Sequence, residues 1–260
     1  MVWNVDPEIF SLGLFRVRWY GLFFALGFVA GYEILARFYR REGRPLENLS
    51  NLFLYLVGGT IIGARLGHVL LYQPGYYLTH PLEILMIWGG GLASHGGFAG
   101  VMISIYLYLR KYRDMSFLEL ADRLAIPLLL ASSLIRIGNL FNSEILGTPS
   151  SLPWAIVFAQ VDDIPRHPAM LYEAFAYFLV FCSVYVAYWR THAAQYPGRI
   201  FGISLAISFL ARFMIEFVKE NQVPFEKNML INMGQLLSIP FAATGLYLIY
   251  VSTTQERRRA

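Results

Sequence analysis

The sequence predicts an all-α polytopic membrane protein with about seven transmembrane helices, one of them broken by glycines, and a small cap on the outer side. Three observations lead there. The 260 residues are 57% hydrophobic and only 15% charged, where soluble domains carry about 25%, and mean hydropathy is +0.49. Apolar runs long enough to cross about 30 Å of hydrocarbon as a helix recur near 19–36, 50–72, 84–109, 117–141, 169–189, 200–218 and 231–251. Lys and Arg alternate between the loops. Arg37, Arg40, Arg41 and Arg44, then Arg110, Lys111 and Arg113, then Arg190 and Arg199, then Arg257, Arg258 and Arg259 fall on one side of a seven-span chain. The intervening loops hold only Arg166, Lys219 and Lys227. By the positive-inside rule the N-terminus is expected outside and the C-terminus in the cytoplasm.

Residues 1–18 are too short and polar to span. Asp6-Pro7 is a turn signal, and Phe10, Leu12 and Leu14 alternate as in a short strand or an interfacial segment. With the loop 142–168 they are expected to cap a single membrane-embedded domain, 1–260. Trp19 and Tyr20 stand where an aromatic belt belongs. In the second span Gly58, Gly59, Gly63 and Gly67 recur at near-helical spacing, the pattern that lets a neighbouring helix approach closely. Arg65 among them pairs structurally or faces a polar cavity. The third segment holds six glycines in thirteen residues, Trp88 to Gly100, around His95. Irregular backbone at membrane depth is tolerated only inside protein or beside a wet cavity. A histidine among glycines that free backbone N–H groups is therefore a candidate functional residue.

The fourth span ends in LIRIGNLFNSEILG, Leu134 to Gly147, which puts Arg136, Asn139, Asn142 and Glu144 where a helix should stay apolar. An ionisable group there costs about 2.5–3.5 kcal/mol on insertion scales, so an interaction must offset it. Arg136 and Asn139 share a helix face, and the guanidinium fork suits a phosphate or carboxylate. Glu173, near a membrane boundary, reads ambiguously. In the sixth span Arg212 and Glu216 are four apart and could pair internally. Two embedded arginines on different helices nonetheless point to a common anionic ligand, with Glu144 and Glu216 expected to hold the guanidinium groups.

Other classes are disfavoured. The five histidines show no metal-ligand spacing, so no metal is expected, and GGGLASHGG lacks the GK[ST] ending of a phosphate loop. Cys182 is alone in an apolar run, so there is no internal disulfide. The N-terminus has no basic region or small-residue cleavage site and is not read as a removable signal. The net charge of +4 is explained by the cytoplasmic loops, so no nucleic acid is expected as a partner.

Taken together, RWYG (18–21), SHGG (94–97), RIGNLFNSEILG (136–147), RHPAMLYE (166–173), ARFMIEF (211–217) and MGQLLSIP (233–240) resemble the bacterial phosphatidylglycerol:prolipoprotein diacylglyceryl transferase family, in the family's order and over nearly the whole chain. The resemblance implies an enzyme of the bacterial inner membrane. It would move a diacylglyceryl group from phosphatidylglycerol, a membrane lipid, to the lipobox cysteine thiol of a prolipoprotein signal peptide. A thioether forms, glycerol phosphate leaves, and no cofactor is needed. It also implies His95 as a proposed base, Arg136 as the headgroup arginine and Arg212 as a second essential arginine. Tyr20, Asn139, Glu144, Gly147 and Glu216 match positions the family uses. Gly89, Met170, Ser143 and Ser208 depart from its pattern, which favours Asp, Gln, Gly and Tyr there. Ser208, one turn before Arg212, keeps a hydroxyl on that face.

An anion transporter would also explain embedded arginines, but transporters usually repeat the broken helix, and the second half shows no partner for 88–100. A membrane scaffold with paired charges is the third reading.

Overall fold

A computed structural model of the chain describes residues 1–12, 15–86, 91–221, 226 and 229–259. Leu14, Trp88, Gly89 and Lys227, used in the sequence reading, lie outside the described residues. Eight α-helices carry most of the rest: α1 (Trp19–Arg41), α2 (Leu46–Leu71), α3 (Pro74–Thr79), α4 (Ser94–Tyr112), α5 (Phe117–Phe141), α6 (Ala169–Arg190), α7 (Arg199–Ile215) and α8 (Met233–Arg259). Among the described residues six helices are long and apolar enough to cross a membrane: α1, α2, α5, α6, α8 and α7 with its extension to Val218. The all-α polytopic class therefore holds.

The third expected span is what separates six from seven. Residues 81–85 form a 3-10 helix, Gly91 takes φ +71, and α4 begins only at Ser94. Glycine has no Cβ to oppose a positive φ, so the chain turns there before the helix starts. The described part of the break lies ahead of α4 rather than within it.

The chain divides into two compact units. The first comprises Met1–Leu35 with Ala121–Ala260, and the second Ala36–Leu120. In the second, α2 packs along α4 through glycines. A Cβ added at Gly63 would collide with the backbone of Gly96 and Gly100, and one at Gly67 with Gly96. The helices approach backbone to backbone, as the near-helical glycine spacing predicts. Arg65 settles in this unit. It is buried, donates to the carbonyls of Glu83, Ile84 (2.8 Å) and Gly91 (3.2 Å), and lies over the Tyr77 ring.

In the first unit, β2 (Glu8–Leu12) and β3 (Phe15–Arg18) form an antiparallel hairpin leading straight into α1. Asp6 accepts the Glu8 N–H at 2.8 Å, the side-chain turn that Asp-Pro announces. A second small sheet has the order β1-β4-β5, from Val2–Trp3, Ile156–Phe158 and Pro165–Arg166. Beneath it Leu140, Leu146, Ile156, Phe158 and Met170 make a buried core. Met170, where the family pattern favours Gln, thus fills an apolar position. The N-terminus of α7 is capped from another helix. Asp122 of α5, almost fully buried, accepts the N–H groups of Gly198 and Phe201, both at 2.7 Å, meeting donors that a helix start leaves unpaired.

Candidate functional site

The first unit gathers most of the expected site residues at the C-terminal end of α5. Trp19 stacks on Phe141 with ring centroids 4.8 Å apart. That contact brings Tyr20 against Gly138, where an added Cβ would meet the ring at 3.0 Å. Tyr20 thereby lies on the helical turn that carries Arg136 and Asn139. Arg136 donates through Nη1 to Asn139 Oδ1 at 3.1 Å, and Asn139 Nδ2 donates to Glu144 Oε2 at 3.2 Å. Asn142 Nδ2 reaches the other Glu144 oxygen at 2.9 Å.

The loop beyond α5 is held by backbone pairing. Gly147 donates to the His167 carbonyl at 2.9 Å, Thr148 to Val218, and Glu220 to Leu146. A Cβ at Gly147 would press on His167 and on the Val218 carbonyl, which explains glycine at that position by close approach alone. Ser143 and Ile145 both sit at positive φ, +52 and +59. Glycine suits the first of these better than serine does, and a β-branched residue in this region is strained by roughly 1–2 kcal/mol. Strain of this kind persists only where surrounding contacts enforce it. Arg166, also buried, clamps the next segment through Asp162 and Glu220, each at 2.5 Å. Its hydrogen bond to Asp162 holds that carboxyl below the usual carboxylate range.

The arginines share one carboxylate, and it is neither of those expected. Glu173 of α6 has no exposed side-chain surface. Its Oε2 lies 2.6 Å from Arg136 Nε, and its Oε1 3.4 Å from Arg212 Nη1 and 3.5 Å from Lys219 Nζ. Glu216 instead pairs with Lys219 at 3.3 Å, because α7 ends at Ile215 and a 3-10 turn over Glu216–Val218 redirects the side chain. The other face of the Glu216 carboxylate packs on Gly234. Glu144 holds asparagines rather than a guanidinium. The expectation that Glu144 and Glu216 hold the two arginines is therefore corrected in favour of Glu173.

This ion-paired cluster contains three cations, Arg136, Arg212 and Lys219, and two carboxylates, Glu173 and Glu216. Among the described residues these ion pairs leave one positive charge over in a largely buried place. Next to it opens a cavity of about 360 Å³ between α5, α6 and α7. Arg136 and Tyr177 line it together with apolar side chains such as Leu128, Leu129 and Phe209. Ser208 also lines it, is buried, and has no hydrogen-bond partner for its Oγ among the described residues. A ligand with an anionic head and a hydrocarbon chain matches such lining.

His95 belongs to the second unit, in the first turn of α4, and is exposed. The Gly97 N–H is engaged by the Ala93 carbonyl at 3.0 Å, so the helix has already taken one of the donors expected to be free.

Sequence reasoning missed Glu173 as the hub, Lys219 as a buried cation and Tyr177 as a wall of the cavity. A signal for Lys219 existed, since it follows Glu216 by three and so shares its face in any helical turn.

Comparison with known proteins adds the lineage. A family model described as prolipoprotein diacylglyceryl transferase matches residues 7–251. A relative from Tolumonas auensis is 47% identical over 99% of this chain and 100% of its own length. One from Chloroherpeton thalassium is 44% identical over 98% and 95%, and one from Cereibacter sphaeroides 38% identical over 95% of each. All three carry the name phosphatidylglycerol--prolipoprotein diacylglyceryl transferase.

Proposed function

The chain belongs to the prolipoprotein diacylglyceryl transferase family, and from that premise we propose that it transfers the diacylglyceryl group of phosphatidylglycerol to the lipobox cysteine of prolipoproteins. The observation that carries the reading is the Arg136, Arg212 and Lys219 cluster, whose ion pairs among the described residues leave one positive charge over and whose Arg136 lines a largely apolar cavity. Phosphatidylglycerol carries one negative charge on its phosphodiester and two hydrocarbon chains on its glyceryl group, and the cluster and the apolar lining complement the two parts.

The cysteine sulfur attacks the glyceryl carbon that bears the phosphate ester oxygen. An S–C bond forms, that C–O bond breaks, and its electron pair leaves on the phosphate. A thiol with an ordinary pKa of about 8.5 must first lose its proton, and His95 is the proposed acceptor. Charge then grows on the departing glycerol phosphate. Preorganised guanidinium groups away from bulk water stabilise such charge far better than water does, typically by 10²–10³ in rate per donor lost. Tyr20, Asn139, Glu144 and Gly147 shape the polar end of the site, Glu216 holds Lys219, and Ser208 offers the cavity a hydroxyl that has no partner among the described residues. No cofactor is required, because the C–O bond that breaks is already activated as part of a phosphodiester and releases glycerol phosphate. Both units then serve a single transferase domain over 1–260, capped by 1–18 and 142–168. We place it in the bacterial inner membrane, with the N-terminus outside and the C-terminus cytoplasmic, an orientation that requires the segment around α4 to cross as a seventh span, as the alternation of Lys and Arg between the loops supports.

The test uses purified protein in liposomes with phosphatidylglycerol and a lipobox peptide, following peptide mass and glycerol phosphate release. A mass gain on the cysteine that disappears in Arg136→Ala and falls steeply in His95→Ala and Arg212→Ala is the expected result. No mass gain with the folded wild type would move the reading to an anion transporter.

A further inference from the structure

We propose that the turn carrying Leu152 and Trp154 is a membrane-contact surface, seated in the headgroup region of the bilayer at the N-terminal end of α6. This goes beyond the transferase reading and rests only on the membrane-spanning helices.

The observations start from α6. Tyr172, Phe175, Leu179, Cys182 and Val186 follow one another at intervals of three and four, so they form one stripe along the helix. Phe175 is 65% exposed, Leu179 48% and Val186 55%, which makes the stripe a lipid-facing surface once the helix crosses a membrane. Tyr172 stands at its upper end, in the first turn. Tyr188 and Trp189 stand near the lower end, about 25 Å away at 1.5 Å per residue. That separation approaches the roughly 30 Å of a hydrocarbon core, and it places Tyr172 at the level of an aromatic belt.

Trp154 is tied to this level. Its indole Nε1 donates to the Tyr172 hydroxyl at 2.8 Å, while the residue remains 56% exposed. The polar atom is thus engaged by protein and the apolar ring is presented outwards, directly above the lipid-facing stripe. Leu152, two residues earlier, is exposed as well. A large apolar ring left open beside a lipid-covered face is covered by the same bilayer, and an amphipathic indole is the side chain that the interface favours. The contact also has a path inwards. Tyr172 hydroxyl is shared with His167 Nδ1 at 3.2 Å, and the His167 carbonyl accepts the Gly147 N–H.

Fluorescence depth measurement tests the assignment. The full-length protein is placed in phosphatidylglycerol-containing vesicles whose acyl chains carry bromine either near the headgroup or near the bilayer centre. The emission of Trp154 is obtained as the difference between wild type and Trp154→Phe. We expect at least twofold stronger quenching by shallow bromine than by deep bromine, and weak quenching by aqueous iodide. Strong iodide quenching without any effect of bromine would place the ring in water and overturn the proposal. Stronger quenching by deep bromine would overturn it too, since it would make the ring part of the span. Should Trp154→Phe fail to fold, Leu152→Cys in a Cys182→Ala background, labelled with a polarity-sensitive dye, gives the same decision. A blue-shifted, bromine-quenched dye supports interface contact, and a water-like emission refutes it.

Discussion

The charge cluster of α5, α6 and α7 and the glycine seam of α2 and α4 both break the rules for membrane helices, yet they do so for opposite physical reasons. In the seam, glycines remove side chains so that two backbones touch and dispersion holds them. In the cluster, buried charges are costly to insert and survive by mutual pairing around Glu173. The glycines of the seam bring no charge of their own. Among the described residues the cluster keeps one positive charge in surplus, and its Arg136 lines a cavity. An anomaly that closes on itself is architecture, whereas one that leaves a charge over among the described residues is where we propose that the anionic ligand binds.

The comparison breaks most readily at Arg136. In Arg136→Lys the positive charge stays, but the fork that reaches Glu173 through Nε and Asn139 through Nη1 is gone. Transfer to a lipobox peptide is expected to fall by about 100-fold or more, with far-ultraviolet dichroism unchanged. Near wild-type turnover would mean that the cluster needs charge alone.

Glu173→Gln comes next. The amide keeps the shape and removes the charge that both arginines and Lys219 share. We expect kcat/KM for phosphatidylglycerol to drop about 10–100-fold. A double-mutant cycle with Arg212→Lys should be strongly non-additive, as for groups in one network. Additive losses would make Glu173 a structural partner only.

The seam answers differently. Gly63→Val adds bulk against the backbone of Gly96 and Gly100, and overpacking of this kind costs roughly 1–3 kcal/mol or more. A lowered thermal midpoint in detergent is the expected reading. An unchanged midpoint would mean that α2 and α4 can separate without loss.

The smallest effect lies outside the membrane, at Asp162. Arg166 lowers its folded-state pKa, so the carboxylate stabilises the fold above the ordinary value near 4. That contribution fades as pH drops through the folded-state value, the sign set by proton linkage. Acid titration of stability should show this loss in the wild type and not in Arg166→Gln.

Much of this was legible in the chain itself. Spans α1, α2, α5, α6, α7 and α8 follow from apolar length, because a bilayer accepts only segments whose backbone hydrogen bonds close internally. Arg136 and Arg212 are conspicuous because charge is rare at that depth. Family membership follows from motifs that extend over nearly the whole chain. Glu173 could not be found this way. It stands near a helix start, where a carboxylate is unremarkable, and its importance arises from residues 37 and 39 positions away in sequence. The partner of Glu216 escaped for a related reason, since the end of α7 as an α-helix at Ile215 turns the carboxylate from Arg212 towards Lys219.

The amino-acid sequence by itself determined which segments leave water and which residues cannot do so cheaply, since both depend on composition and local spacing. Tertiary structure alone decided which charges neutralise one another, because a buried charge is set by the groups that packing brings within about 4 Å, and those come from three different helices and the turn after the last of them.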